Sequence, residues 1–296
     1  MSLTLGLAQV VGCNSVVGTV KLPAPAVSDL VVTITDTLPA ASAPATVTIP
    51  AGATYRSFSV TTSAVRTLQS GLVTATLDGA TASRPLSLRP IGPQSLTFKP
   101  TSAVGGMLPG ATATVKLECR AGPAPITVDL SATRPEVAYP VAASVVVPVG
   151  MQSTVFDVMT NQVYGKTLAP ISAVANGVTQ TKSLAVLPWA HVDPPTSLKF
   201  GGVVVGTTSN ALNATLTNRG AGAFAVNQIS VSGTGASWFG QTNNCPSSLA
   251  TGASCMISVT FSPLSTSSRS AKLSVATSAT TTPLTVSLLG TGLPAP

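Results

Sequence analysis

Apolar and polar positions alternate along this chain in short runs, and turn signals cut the runs every few residues. Thr54 to Thr62 alternates around Phe58 and Val60, the two-residue period of a strand with one buried face. Pro50-Ala51-Gly52 marks a turn just before that run, and Pro148-Val149-Gly150 does the same before the run around Phe156 and Val158. Leu72 to Leu77 leads into Asp78-Gly79, and Ile171 to Ala175 leads into Asn176-Gly177. Both dipeptides tolerate positive φ, so each predicts a tight hairpin. The strands that follow end at Pro90 and Pro188.

The pattern recurs at a fixed interval. Pro148 follows Pro50 by 98 residues, and the same interval relates Gly52 to Gly150, Phe58 to Phe156, Val60 to Val158 and Leu86 to Leu184. Thr19-Val20-Lys21-Leu22 also recurs, as Thr114-Val115-Lys116-Leu117. Residues 1–92 and 93–190 therefore read as two copies of one module. Each copy holds about seven short strands, the density of a β-sandwich. Residues 191–296 form a third module, again with alternation, as in Met256 to Phe261, but without the repeat. Pro188 to Thr196 reads as a proline-rich, semi-rigid linker, and Arg89-Pro90-Ile91-Gly92-Pro93 as a shorter junction. The expected architecture is all-β: three tandem immunoglobulin-like sandwiches in an extended rod.

Composition sharpens this picture. Only 8% of the 296 residues are charged, against roughly 25% in an ordinary globular chain. With 44% apolar residues the chain is no charge-driven disordered polymer, and it lacks the charged outer faces that long surface helices need. The net charge of +7 is spread over all three modules. There is no Lys/Arg run and aromatics are only 4%, which argues against nucleic-acid partners. No apolar stretch approaches the roughly 18 residues of a membrane-spanning helix. The opening residues Met1 to Gly12 carry no basic residue ahead of their apolar part, so they do not read as a secretory leader.

The first two modules resemble bacterial immunoglobulin-like repeats of long surface proteins. The resemblance is carried by Val11-Gly12-Cys13-Asn14-Ser15, where Cys13 stands at a usual Gly, by the Thr-Val-Lys-Leu strands, and by the Val-x-Pro-x-Gly and Phe-x-Val runs. The third module resembles the ASH/MSP-like domain of the "choice-of-anchor D" bacterial group. Its carriers are Leu198-Lys199-Phe200-Gly201, Val205-Gly206, Leu216-Thr217-Asn218-Arg219-Gly220, Cys245 with Cys255, Phe261-Ser262-Pro263 and Leu289-Gly290-Thr291-Gly292. These resemblances imply scaffold and adhesion roles and no reaction.

The candidate chemistry is sparse. Cys245 and Cys255 lie ten residues apart, a spacing that fits a loop closed by a disulfide, and the resemblance favours that bridge over two reduced thiols. Cys13 and Cys119 belong to different copies, so a bridge within one sandwich is impossible. They are expected as free thiols, with pairing between modules or subunits as the alternative. His191 is the sole histidine, with Asp193 two residues on. It falls in the linker, a poor support for catalytic geometry. The eight acids are scattered singly, which fits neither a calcium cage nor a carboxylate pair. No catalytic, cofactor or metal site is expected. Trp238 and Phe239 are adjacent, so on a strand they point to opposite faces. One is expected in the core and the other toward the surface; for these two and Trp189, core or inter-module packing is the first reading and a glycan-stacking surface the alternative.

The expected function is non-enzymatic: a structural or display protein on an outer surface, foremost a phage virion component such as a head decoration, fibre or tail-associated protein. Such a protein is made in the host cytoplasm and needs no leader. Its partners would be other structural proteins of the same assembly (capsid, tail or cell surface), with weak adhesion to glycans and homo-oligomers through strand edges. The alternatives are a segment of a bacterial cell-surface adhesin and a polysaccharide-binding accessory module.

Overall fold

A computed structural model describes residues 1–295. The first module holds nine strands: β1 (Ser2–Leu5), β2 (Gln9–Val11), β3 (Val16–Lys21), β4 (Leu30–Asp36), β5 (Ala41–Ser42), β6 (Thr46–Ile49), β7 (Tyr55–Thr62), β8 (Gln69–Leu77) and β9 (Ala80–Arg89). They form a four-stranded sheet in the order β1-β3-β7-β5 and a five-stranded sheet in the order β2-β9-β8-β4-β6. All pairings are antiparallel except β2 with β9, which run parallel with Val10 opposite Leu88.

The second module runs from β10 (Pro93–Lys99) to β18 (Val178–Leu187). It includes β12 (Ala111–Leu117), β13 (Ile126–Ala132), β14 (Ala138–Pro140), β15 (Ser144–Val147), β16 (Ser153–Thr160) and β17 (Thr167–Ala175). The third runs from β19 (Ala190–Asp193) to β27 (Leu284–Leu293), including β21 (Leu212–Asn218), β22 (Phe224–Ser232), β24 (Ser248–Leu249) and β25 (Ser254–Phe261). Counted from each module's own first strand, all three have the same two sheet orders. The third module therefore shares the topology of the repeat, although its sequence does not align with it. Each module has nine strands, not seven, because edge strands of two to four residues are too short to show alternation.

The alternation works as expected where strands are long. In β7 only Phe58 and Val60 are buried, and they face the same side. The Asp78-Gly79 and Asn176-Gly177 turns have φ of 49° and 82°, and 51° and 80°. Positive φ at both central positions is the turn whose twist matches the flanking strands. Each module encloses its own core. Val20, Phe58 and Leu86 centre the first, Val115, Phe156 and Leu184 the second, and Leu216, Phe261 and Leu288 the third.

The outer faces are solvated by hydroxyls in place of charges. Thr19 pairs with Ser57, Thr74 with Ser83, Ser172 with Thr181, and Thr217 with Ser254 across neighbouring strands, at 2.8–2.9 Å. Such cross-strand pairs contribute roughly 0.2–1 kcal/mol each. The low charge of the sequence is thus a property of the sheet faces.

One expectation about the boundaries is corrected here. Ala190–Asp193 is no linker but the first strand of the third module, paired with β21 from Ala190 opposite Asn218 to Asp193 opposite Thr215. The prolines around it restrict the backbone to extended conformations, which a strand edge accepts as readily as a linker does.

Candidate functional site

Three of the residues singled out for chemistry, Cys13, Cys119 and Trp189, lie at the two junctions between modules. Ile91 is fully buried, and together with Val11 it joins the core of the second module. Beside them Cys13 and Cys119 form a disulfide across the junction, with their Cα atoms 6.6 Å apart. This corrects the expectation of free thiols. Pairing depended on how one sandwich docks on the next, which spacing along the chain does not encode. Cys13 has φ 108°, a backbone conformation suited to glycine. A residue with a thiol stands there and is held by the bridge.

Charge reinforces the same junction. Arg89 donates two hydrogen bonds to Glu118, at 3.0 and 2.6 Å. Glu118 also accepts the Gly92 N–H at 3.1 Å, while its own N–H donates to the Gly92 carbonyl at 3.0 Å. The pairing with Glu118 raises the Arg89 pKa against a smaller opposing effect of burial. Bidentate geometry of this kind fixes direction as well as distance. Asn176 donates to the Ile91 carbonyl at 2.8 Å, and Arg66 donates to the Pro125 carbonyl. Between Val65, Arg66, Ile91, Pro123 and Ile126 lies a cleft of about 370 Å³, also lined by Gln69. The Gln69 Oε1 is buried there without a hydrogen-bond partner among the described residues.

The second junction is pinned by Trp189. Its indole N–H donates to the Gly105 carbonyl of the second module at 2.5 Å. The ring lies close against Gly220 of the third module, where any side chain would overlap it, and against Gly222. The loop that carries these glycines is organised by Asn218, which is fully buried. Asn218 donates to the carbonyls of Gly222 and Leu249 at 2.8 and 2.9 Å and accepts the Gly220 N–H at 2.9 Å. The Leu-Thr-Asn-Arg-Gly run quoted above is therefore the socket for Trp189. Among the described residues, no hydrogen bond joins the first module to the third.

The opposite faces expected of Trp238 and Phe239 are corrected here, and the packing reading of the aromatics is the one that fits. Trp238 and Phe239 are both buried, at 6% exposure each. They do not alternate because Ala236–Trp238 is a 3-10 turn and Phe239 is the first residue of the strand after it. With Phe200 and Phe261 they form one aromatic cluster, Phe239 and Phe261 having ring centroids 4.8 Å apart. The Arg269 guanidinium covers Trp238 at 4.8 Å. Neither ring offers a stacking surface, and Trp189 is occupied at the junction.

Cys245 and Cys255 form a disulfide with Cα atoms 4.9 Å apart. The bridge closes the loop that carries the two-residue edge strand β24. His191 sits half-buried on β19, opposite Thr217. Burial and the positive charge of Arg219 hold its pKa below the usual histidine value, against a smaller opposing effect of Asp193. Among the described residues no three His, Cys, Asp or Glu side chains converge, and no helix is long and apolar enough to cross a membrane.

No protein-family model matches the chain, and no curated protein does. Solved structures with similar folds include the D0-D1 domain of intimin, at 12% identity and TM-score 0.28, over 62% of this chain and 97% of that one. They also include an ASH/PapD-like domain of human CEP192, at 17% identity and TM-score 0.26, over 36% of this chain and 87% of that one. A third is Dpr2 Ig1-Ig2 in a complex, at 10% identity and TM-score 0.25, over 99% of this chain and 100% of that one. The assignment of fold comes from the strand order itself: two facing sheets per module, with the second strand crossing to run parallel to the last. The chain is an all-β protein of three tandem immunoglobulin-like sandwiches.

Proposed function

We propose that this chain is a non-enzymatic structural and display protein of an outer surface, foremost a virion component. In this reading it holds a surface at a set distance and angle from the assembly to which it is attached. The observation that carries the reading is the disulfide between Cys13 and Cys119, which fastens one module to the next. A bridge at a junction restricts hinge motion, which a spacer requires. Disulfides persist in oxidising surroundings, virion and cell surfaces among them, and both pairs of cysteines are bridged here. Trp189 performs the same service at the second junction without a covalent bond.

Its partners are other structural proteins of the same assembly. The alternatives, a segment of a bacterial cell-surface adhesin or a polysaccharide-binding accessory module, require exposed recognition groups, and Trp238, Phe239 and Trp189 are engaged elsewhere. Immunogold labelling of native particles and of host cells, with an antibody against the chain, tests the proposal. Gold on particle surfaces is expected. Gold confined to the envelope of uninfected cells would transfer the role to a cellular adhesin, and gold confined to the cytosol would overturn both.

A further inference from the structure

The three modules share one topology, so in each the module's sixth strand forms an equivalent edge of the five-stranded sheet: β6, β15 and β24. An unpaired edge offers free N–H and C=O groups, and native proteins protect such edges with charge, proline or brevity. The first two edges are alike in carrying no charge, with none from Thr37 to Tyr55 around β6, and differ in their side chains. In the first module β6 presents Thr46 and Thr48 to solvent. In the third, β24 has only two residues and is tied into the Cys245–Cys255 loop. In the second, β15 reads Ser144-Val145-Val146-Val147, and no charged residue occurs from Val137 to Gln152.

The two sequence copies serve as each other's control. Where the first copy has Thr48, Ala51, Ala53 and Ser57, the second has Val146, Val149, Met151 and Val155. Ser42 pairs with Thr61 in the first copy, and Tyr139 stands in its place opposite Met159 in the second. The second-copy residue is larger and more apolar at all five positions, and all five, together with Val141, are 38–60% exposed. Burial within the module does not require these side chains, since the first module folds on the same topology with small and hydroxylated ones.

Backbone geometry says which groups are free. Leu130 N–H bonds to the Ala143 carbonyl, and β15 continues antiparallel to β13 with Val145 opposite Val128 and Val147 opposite Ile126. In an antiparallel ladder bonded and non-bonded positions alternate. Ser144 and Val146 therefore point their N–H and C=O groups away from the sheet.

We propose that this edge pairs with the same edge of a second copy of the chain. A two-fold axis at Val145 sets Ser144 of each copy opposite Val146 of the other, forms four backbone hydrogen bonds and joins two five-stranded sheets into one of ten strands. The strand is self-complementary in this register. No charged residue lies on β15 itself, so the two strands meet without like charges between them, while Asp129 on β13 and Arg120 at Gly150 flank the pair. Val146 faces outward from the five-stranded sheet and Val155 from the four-stranded sheet, so the contact is made by the paired backbone and the side chains of β15 and not by the whole apolar set. This deepens the structural role by naming one lateral contact, and a monomeric chain would overturn the pairing while leaving the display role intact.

The test is sedimentation velocity of the full chain across roughly 1 µM to 1 mM, with hydrogen exchange read at both ends of that range. The wild type is expected to approach twice the mass of one chain, with the amides of Ser144 and Val146 slowing at least tenfold as it does so. Val146→Lys is expected to stay monomeric with an unchanged melting temperature, because position 146 faces solvent. Thr48→Lys, at the equivalent edge of the first module, is expected to dimerise like the wild type. A wild type that is monomeric throughout, a dimer that survives Val146→Lys, or exchange at Ser144 and Val146 that is independent of concentration would each overturn the proposal.

Discussion

Replacing Cys13 and Cys119 by serine removes the bridge that encloses nearly the whole first module, since the two lie 106 residues apart. In the chain-entropy account a loop of that size stabilises by about 4.7 kcal/mol, because the unfolded chain loses the freedom to separate its ends. The loop takes in residues 13–92 of the first module and 93–119 of the second, so the first module takes the larger share of the gain and the second a smaller one. For a module of this size each kcal/mol moves the midpoint by about 4–8 °C, so the first-module transition is expected to fall by roughly 20–35 °C. The third module lies outside the loop and its transition is expected to stay in place. Differential scanning calorimetry of the full chain resolves the two. A single substitution adds a finer check. Cys13→Gly also removes the bridge but relaxes a backbone held at φ 108°, a conformation that costs a non-glycine residue on the order of 1–3 kcal/mol. Cys13→Gly is therefore expected to unfold at a higher temperature than Cys13→Ser. A first-module shift under about 5 °C, or an equal shift in the third module, would refute the assignment of the bridge to this junction.

Three further outcomes follow from the second junction and the third module. Asn218→Ala strands the buried Gly220 N–H and two carbonyls, and is expected to lower the stability of the third module by about 2–4 kcal/mol in urea titration, once water has refilled part of the space. Gly220→Val places a side chain where the Trp189 ring lies. It is expected to shift the Trp189 emission to the red and widen the angular spread of the modules in small-angle scattering, while the module cores keep their circular dichroism. For His191, burial lowers the folded pKa below the unfolded value of about 6.5, so the unfolded chain binds more protons between the two. Stability is then complete above about pH 6.5 and declines as pH falls toward the folded pKa. His191→Gln is expected to flatten that decline in stability measured from pH 8 to pH 5.

Much of the fold was legible along the chain because sandwich strands and tight turns are local. Phe58 and Val60, and Phe156 and Val158, sit where the two-residue period places them, and the Asp78-Gly79 and Asn176-Gly177 turns adopt the positive φ their residues allow. The 98-residue interval between copies survived into matching sheets. The local signals failed at named places. Trp238-Phe239 was expected to alternate, but a 3-10 turn brings both rings into one core. Ala190–Asp193 carries linker composition, yet it pairs with β21, because pairing depends on a partner strand more than 20 residues away in the chain.

By itself, then, the sequence determined the strand periodicity and the hairpins, which depend on residues within a few positions of one another, the repeat, which shows as matches 98 residues apart, and a charge-poor surface, which is a matter of composition. Tertiary structure alone decided that Cys13 meets Cys119, that Trp189 closes on Gly220, and that Val146 stands on an open edge while its counterpart Thr48 offers only a hydroxyl. Each of these depends on how separate sheets dock. Docking is set by the summed shape of two surfaces, and no short stretch of sequence carries that sum.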